Sequence, residues 1–211
     1  MTPGTYPVAE PPFPAADTTP VVDGVVLAAG QSKRFGAQNK LLAPVEGIPL
    51  VCHAVAPVCT VLSRVVVVVG NDADAVRDAL ADYPVECVEN PDYADGQATS
   101  LACGVEQIRF SADGALFALG DMPAVDAATV ELLCEAFAAG VGDPLVAAHN
   151  GHRGNPVLFG PQYFDQLATQ TGDTGGRPVL QSAPGTTLVE TGDRGVRRDV
   201  DHPSDLPGNS S

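Results

Sequence analysis

Apolar and polar positions along the chain form short continuous apolar runs that alternate with longer amphipathic stretches. The apolar runs are clearest in VVDGVVLAAG at residues 21–30, RVVVVVG at 64–70 and GALFALG at 114–120. Runs this short and this rich in β-branched residues are typical of strands buried on both faces of a parallel sheet. Amphipathic stretches predict helices between and after them, at residues 71–83, from near Thr99 to 110, and at 126–140. The alternation predicts a doubly wound, mostly parallel α/β sheet in a single domain.

The second half of the chain is less regular. It predicts strands at 144–151 and 155–160 around a turn, a helix at 161–170, a short helix within 172–182, and late strands at 186–191 and 196–201. Residues 1–20 are rich in proline and lack apolar periodicity, which predicts a disordered tail. The predicted domain spans residues 21–206, and residues 207–211 form a C-terminal tail.

Composition excludes several classes of function. The formal net charge is −15 and the pI is about 4.3. Because binding to a nucleic-acid duplex requires a basic surface, this charge argues against a nucleic-acid partner. The sequence shows no basic membrane-surface patch, no stretch near the roughly 20 apolar residues of a membrane span, and no signal peptide at its start. These features predict a cytoplasmic protein. Scarce lysine with abundant aspartate raises the hypothesis of a halophilic, high-salt cytoplasm. The five cysteines lack metal-site spacing and are expected to be buried thiols.

The segment LAAGQSKRFGAQNK at residues 27–40 holds both lysines of the chain, Lys33 and Lys40, together with Arg34. Its glycine spacing fits neither the P-loop nor the dinucleotide-binding fingerprint. It follows the first buried strand, and ligands of open α/β sheets bind at that carboxyl edge. Small residues would let backbone N–H groups approach a ligand, while Arg34 and Lys40 would supply positive charge. A triphosphate site is therefore predicted, the alternative being a solvated surface loop.

These residues also resemble a known family. Residues 27–51 are similar to the N-terminal signature of the nucleotidyltransferases that act on molybdenum cofactor. The resemblance covers most of residues 24–206 through ENPDYADGQATSL, LGDMP, HNGHRGNPVLF, GDTGGR and DVDHPSDL, in that order. It implies a Rossmann-like nucleotidyltransferase fold, that of the nucleotide-diphospho-sugar transferases, and Mg²⁺-dependent transfer of a nucleotide with release of pyrophosphate.

The resemblance assigns the charged residues to catalysis. Arg34 is expected to bind the β- and γ-phosphates and Lys40 the α-phosphate, where charge develops. Asp121 directly follows a predicted buried strand and is the first candidate ligand for Mg²⁺. Asp201 is the second candidate, preferred by resemblance over Asp199 on the same face of the predicted last strand. The alternative for each aspartate is a surface or capping carboxylate.

The base and ribose are expected to contact a further set of residues. Related guanylyl enzymes carry Gly where this chain has Ala29, and the added methyl favours the smaller base of CTP. The predicted nucleotide-binding residues are Leu27, Ala28, Ala29, Gly30, Arg34, Lys40, Asn90, Asp92, Gly96, Thr99 and Ser100. The members of this set between residues 90 and 100 are of types that also form turns and cap helices, and that structural role is an equally good interpretation of them.

The acceptor, molybdenum cofactor (molybdopterin), is expected to bind at Arg153, Gly154, Asn155, Asp173, Gly175 and Arg177. Asn155 departs from the family, which commonly has His there. His149 and His152 are expected to be loop or surface residues. The resemblance implies a transient partner of the xanthine-dehydrogenase type. Alternatives are guanylyl transfer, transfer to a sugar or alcohol phosphate, and a non-catalytic cofactor carrier.

Overall fold

The computed structural model describes residues 6–36 and 38–207. Its strands are β1 Val8–Ala9, β2 Val22–Ala28, β3 Pro44–Val45, β4 Ile48–Pro49, β5 Val65–Val69, β6 Glu86–Glu89, β7 Gly114–Leu119, β8 Leu145–His149, β9 His152–Phe159 and β10 Thr187–Glu190. Its helices are α1 Leu50–Val61, α2 Ala73–Ala79, α3 Gln97–Ile108, α4 Ala127–Ala138, α5 Phe164–Ala168 and α6 Arg177–Ser182. No helix within these residues is long and apolar enough to cross a membrane.

Eight strands form one sheet in the order β1-β10-β8-β9-β7-β2-β5-β6, while β3 and β4 pair in a separate hairpin. Strand β9 runs antiparallel to both of its neighbours, and the other pairs in the sheet are parallel. The predicted doubly wound, mostly parallel α/β sheet in a single domain is confirmed.

Helices cover both faces of the sheet because its central strands are apolar on both sides. Along β5, Val65, Val67 and Val69 pack into one core layer, whereas Val66 and Val68 pack into the other. The first layer holds side chains of α1, α2 and α4, and the second holds those of α3, α5 and α6. This alternation is what a strand buried on both faces requires.

The order of the strands positions the site. From β2 the chain proceeds to β5 and β6 on one side, and then crosses back to β7 on the other side of β2. The crossing point between β2 and β7 is therefore a topological switch point, where ligands of open α/β sheets bind. The loop that contains Lys40 follows β2, and Asp121 follows β7.

The prediction of a disordered tail over residues 1–20 is wrong at Val8–Ala9. These two residues form a parallel edge strand on Leu188–Val189, and the Leu188 N–H donates to the Pro7 carbonyl at 2.8 Å. Proline is tolerated at a sheet edge because one side of the strand needs no donor. Residues 1–5 and 208–211, parts of the two predicted tails, lie outside the described residues.

The strand predicted at 196–201 is also wrong. Residues Arg194–Arg197 form a 3₁₀ turn, which the Asp193 carboxylate caps by accepting from the Gly195 N–H at 2.6 Å. Further on, the Val200 N–H donates to the Asp121 carbonyl at 2.9 Å rather than to a strand. Asp199 and Asp201 therefore do not share a strand face.

Two smaller expectations also differ from the structure. Helix α3 begins at Gln97 rather than near Thr99. Of the five cysteines, all of them free, Cys52 is buried and the other four are only partly buried. Burial raises the pKa of the Cys134 thiol to about 11, with Glu135 and Glu131 adding to the effect. A thiol with so high a pKa stays protonated at neutral pH and is a poor nucleophile.

Candidate active site

Lys40 is held in place by a small polar network in the loop after β2. Ser32 donates from its hydroxyl to the Asn39 side-chain oxygen at 3.2 Å and accepts from the Lys40 N–H at 3.2 Å. Asn39 in turn caps the 3₁₀ turn Lys40–Leu42 by accepting from the Leu41 N–H, and donates to the Asn71 carbonyl at 3.0 Å. The backbone of Lys40 is therefore fixed relative to the sheet.

The Lys40 ammonium bridges two carboxylates that are distant in sequence. Its Nζ lies 2.6 Å from Asp121 Oδ2 and 3.1 Å from Asp201 Oδ1. Arg34 contacts the other oxygen of Asp201 at 2.8 Å. The Lys40 side chain is only 11% exposed, whereas that of Arg34 is 69% exposed. The structure thus brings together the four charged residues that the sequence singled out.

Burial sets the electrostatics of this ion cluster. Burial raises the pKa of the Asp121 carboxyl more than the neighbouring Lys40 lowers it. Burial alone would lower the pKa of Lys40, but Asp121 and Asp201 outweigh it and raise the pKa, so the ammonium stays charged. Within the described part of the chain, Asp121 Oδ1 is buried and has no hydrogen-bond partner. The positive charge of Lys40 therefore does not fully compensate the Asp121 carboxylate.

This donor set fits a divalent cation. Asp121 and Asp201 both reach one point, occupied by Lys40 Nζ, and Asp121 keeps one oxygen free of protein partners. Mg²⁺ is usually held by one or two carboxylates, with water and substrate phosphates as its other ligands. No group of three or more His, Cys, Asp or Glu side chains suited to a metal occurs among residues 6–36 and 38–207. The site would therefore hold the ion together with a phosphate substrate.

A first cavity of about 380 Å³ opens over the ion cluster. Seven of the predicted nucleotide-binding residues line it: Leu27, Ala29, Gly30, Arg34, Lys40, Gly96 and Ser100. Asp173 also lines this cavity, although it was predicted to bind the acceptor. The reason is that the Ala98 N–H donates to the Gly172 carbonyl at 3.0 Å and so holds residues 172–173 against the start of α3.

Four predicted nucleotide-binding residues, Ala28, Asn90, Asp92 and Thr99, are not among the residues that line the first cavity. Ala28 packs into the core instead. Asn90 is buried and donates to Thr99 Oγ1 at 2.9 Å and to Ser100 Oγ at 3.0 Å, and it accepts from the Asp92 N–H. Here the turn and capping interpretation describes the geometry better than direct contact with a base.

Ala29 and Tyr93 both line the first cavity. Ala29 is 3% exposed, and Tyr93 packs against the same core layer. A methyl built on Gly70 would be 2.8 Å from the Ala29 Cβ and 2.7 Å from the Cβ and Cγ of Tyr93. Ala29 and Tyr93 therefore both lie close to Gly70.

A second cavity, also about 380 Å³, adjoins the first. Leu27, Gln97 and Leu119 line both cavities and form the boundary between them. Predicted acceptor residues in the second cavity are Arg153, Gly154, Asn155, Gly175 and Arg177. Sequence reasoning missed Gln97 and Arg197, which also line it. The position of Arg197 two residues before Asp199 in the last motif was the available signal.

Comparisons with known proteins find one family model and several curated relatives for this chain. The model of the MobA-like NTP transferase domain matches residues 24–188. The nicotine blue oxidoreductase of Paenarthrobacter nicotinovorans is 30% identical over 190 residues, covering 86% of this chain and 93% of that protein. The molybdenum cofactor cytidylyltransferase of Escherichia coli K12 is 25% identical over 186 residues, covering 88% of this chain and 93% of that one.

Solved structures and longer relatives agree with that placement. Rv0371c of Mycobacterium tuberculosis H37Rv, in its complex with manganese, has a TM-score of 0.71 and 26% identity, and the match covers 87% of this chain and 95% of that one. The chain also matches bifunctional GlmU proteins, but it spans only 24% of the length of the one from Kineococcus radiotolerans. Because the domain model matches most of the chain, the chain belongs to the MobA-like NTP transferase family, a family of nucleotidyltransferases.

Proposed function

We propose that this protein transfers CMP from CTP to the phosphate of molybdenum cofactor and releases pyrophosphate. The observation that carries the proposal is the ion cluster of Lys40, Asp121 and Asp201 at the first cavity, with a second cavity directly beside it. Two adjoining cavities suit two substrates that must meet. The cytidylyltransferase relative supports the choice of substrates.

The reaction needs charge neutralisation more than proton transfer. A phosphate oxygen of the acceptor attacks the α-phosphorus of CTP, and the bond from that phosphorus to the bridging oxygen of the β-phosphate breaks. The electron pair of the broken bond leaves with pyrophosphate. Because the attacking oxygen is already anionic, the protein contributes by positioning and by stabilising charge. In our proposal Lys40, beside Asp121, donates to the α-phosphate, and exposed Arg34 binds the terminal phosphates.

Charge balance in the first cavity supports a metal requirement. Three cations line it, and so do three carboxylates: Lys33, Arg34, Lys40, Asp121, Asp173 and Asp201. The side chains alone therefore leave a triphosphate without a surplus of positive charge. In our proposal Asp121 and Asp201 hold Mg²⁺, which when bound supplies two positive charges for the phosphates. Manganese in the related Rv0371c complex is consistent with a divalent ion.

The choice of CTP rests on Ala29. Ala29 lines the first cavity together with Tyr93, and a glycine at this position would lack one methyl and so leave more room for a purine. Transfer from GTP, or to a sugar or alcohol phosphate, is the second candidate. A non-catalytic carrier would have no need of the buried ion cluster. A xanthine-dehydrogenase-type client remains a prediction.

The test is pyrophosphate release from CTP or GTP in excess Mg²⁺, with and without molybdenum cofactor. We expect release that requires both CTP and the cofactor, and that disappears in EDTA. Release with GTP alone would overturn the choice of base. No release with any nucleotide would favour a carrier, or a reaction related to that of the oxidoreductase relative.

A further inference from the structure

Unpaired arginines concentrate in the second cavity. Four of the nine arginines pair with carboxylates: Arg34, Arg64, Arg77 and Arg109. The side chains of the other five, Arg153, Arg177, Arg194, Arg197 and Arg198, make no ion pair or side-chain hydrogen bond with residues 6–36 and 38–207. Three of these five, Arg153, Arg177 and Arg197, line the second cavity, where the acidic residue is Asp199. In a chain of net charge −15, this is a local surplus of positive charge.

The backbone brings these arginines to one cavity through close contacts. A methyl built on Gly154 would overlap the Val196 carbonyl, so only glycine lets β9 approach the 3₁₀ turn that ends at Arg197. Arg153, next to Gly154, and Arg197, next to Val196, both line the second cavity. The cap by Asp193 holds the turn in this position.

The floor of the second cavity is apolar. Phe117 and Phe159 line it with their ring centroids 5.9 Å apart in an edge-to-face arrangement, and both side chains are otherwise buried. Leu101 and Val146 extend this surface. A ligand that fits the cavity therefore presents a ring-sized apolar part to the floor and an anionic part to the arginines.

We propose that Arg197 is a specificity-determining residue of the second cavity, and that this cavity selects acceptors with a doubly charged phosphate monoester on a ring-sized body. The inference rests on the proposed function in taking this cavity as the acceptor site. A phosphate monoester carries about two negative charges at pH 7 and offers three acceptor oxygens. One arginine can satisfy a carboxylate through two parallel hydrogen bonds, whereas a phosphate dianion has acceptors left for further arginines.

Binding of three small probes tests this selection in the full chain by ligand-detected NMR titration. Phenyl phosphate is the dianion on a ring, benzoate the monoanion on a ring, and inorganic phosphate the anion without a ring. We expect phenyl phosphate to bind most tightly. Arg197→Gln should weaken its binding roughly 10-fold or more, as loss of a charge-assisted contact does, and should change benzoate binding less than about 3-fold.

Arg198→Gln is the matched control, because Arg198 is the next residue, is equally exposed, and is not among the residues that line the second cavity. Arg197→Lys should restore part of the affinity for phenyl phosphate by keeping the charge. Arg34→Gln reports any binding of a probe in the first cavity instead. Equal effects of Arg197→Gln and Arg198→Gln, or benzoate binding as tight as phenyl phosphate binding, would overturn the assignment.

The outcome separates this inference from the proposed function. Phenyl phosphate binding that depends on Arg197, in a protein that releases no pyrophosphate from any nucleotide, would sink cytidylyl transfer and keep the selective cavity. Cytidylyl transfer to molybdenum cofactor that is unchanged in kcat and KM by Arg197→Gln would keep the function and remove Arg197 from the acceptor site.

Discussion

Replacing Lys40 by Gln should make the protein less stable without metal and more responsive to Mg²⁺. In the wild-type chain the Lys40 ammonium lies 2.6 Å from Asp121 and 3.1 Å from Asp201, so it offsets part of the charge of the two carboxylates. Gln keeps much of the length of the side chain but removes the charge. The variant therefore leaves two carboxylates close together, with exposed Arg34 as their remaining cation.

The expected magnitude follows from burial. Breaking a fully buried ion pair costs about 3–5 kcal/mol, because one charge is left without compensation. Here the side chains of Lys40, Asp121 and Asp201 are 11%, 21% and 23% exposed, so solvent offsets part of the loss. We expect about 2 kcal/mol, which lowers Tm by about 4–8 °C in a domain of this size.

Thermal unfolding in EDTA and in excess MgCl₂ measures the effect. Mg²⁺ should raise the Tm of Lys40→Gln more than that of the wild type, because in the wild type the ion competes with Lys40 for the same carboxylates. Lys33→Gln removes the other lysine, which is exposed, and should show the wild-type response to Mg²⁺. Equal gains in Tm from Mg²⁺ in the wild type and in Lys40→Gln would refute the reasoning.

In the transfer assay, the kcat of Lys40→Gln should be lower than that of the wild type by a factor of roughly 10²–10³, with a smaller change in CTP affinity.

Three further predictions concern stability. Burial alone would raise the pKa of Glu190, but N–H groups of Gly151, Asn150 and Gly192 outweigh it and lower the pKa. A carboxyl whose pKa is lower in the folded state stabilises that state at pH values above its unfolded-state pKa of about 4.3. Glu190→Gln should therefore reduce the free energy of unfolding by about 1–2 kcal/mol at pH 7, and by progressively less as the pH falls below about 4, measured by urea unfolding. Asn90→Ala should reduce the free energy of unfolding by about 1–3 kcal/mol, seen as a lower urea midpoint. The CTP affinity of the folded variant, measured by calorimetry, should stay within about 3-fold of the wild-type value, and a larger loss would restore Asn90 to the base site. If the acidic composition reflects a high-salt cytoplasm, stability should rise with KCl, and a urea midpoint that does not depend on KCl would contradict that origin.

The parts of the fold that the sequence predicts are those with local signals. Val65–Val69 is β-branched at every position, so a strand buried on both faces is the simplest structure for it. Asp121 closely follows β7, Lys40 lies in the loop after β2, and the carboxyl ends of parallel strands meet at one edge. Topology therefore predicts that the Lys40 loop and Asp121 lie at the same edge of the sheet.

The parts that the sequence does not predict depend on distant partners. Val8–Ala9 become a strand only because Leu188–Val189, far away in the chain, offers a free parallel edge. Val196 and Val200 are both buried, but Arg198 midway between them is exposed, so these residues do not show the alternation of a strand. The 3₁₀ turn that places Arg197 is set by the Asp193 cap and by contact with Gly154, and the sequence signals neither contact.

The distribution of charge bears on how so acidic a chain would bind the two anionic substrates of the proposed reaction. Its net charge of −15 repels them over distances comparable to the Debye length, about 10 Å in 0.1 M salt and about 3 Å in 1 M salt. The contacts that would bind the substrates are short and partly buried, so salt screens them less than it screens the surface carboxylates. Added salt should therefore weaken the long-range repulsion more than the local attraction, and an acidic surface and an anion-binding site become compatible in a concentrated electrolyte. In the proposed function the first cavity takes a divalent ion because its own charges cancel, whereas the second carries a surplus of arginine, so the two substrates would be bound by different electrostatic means.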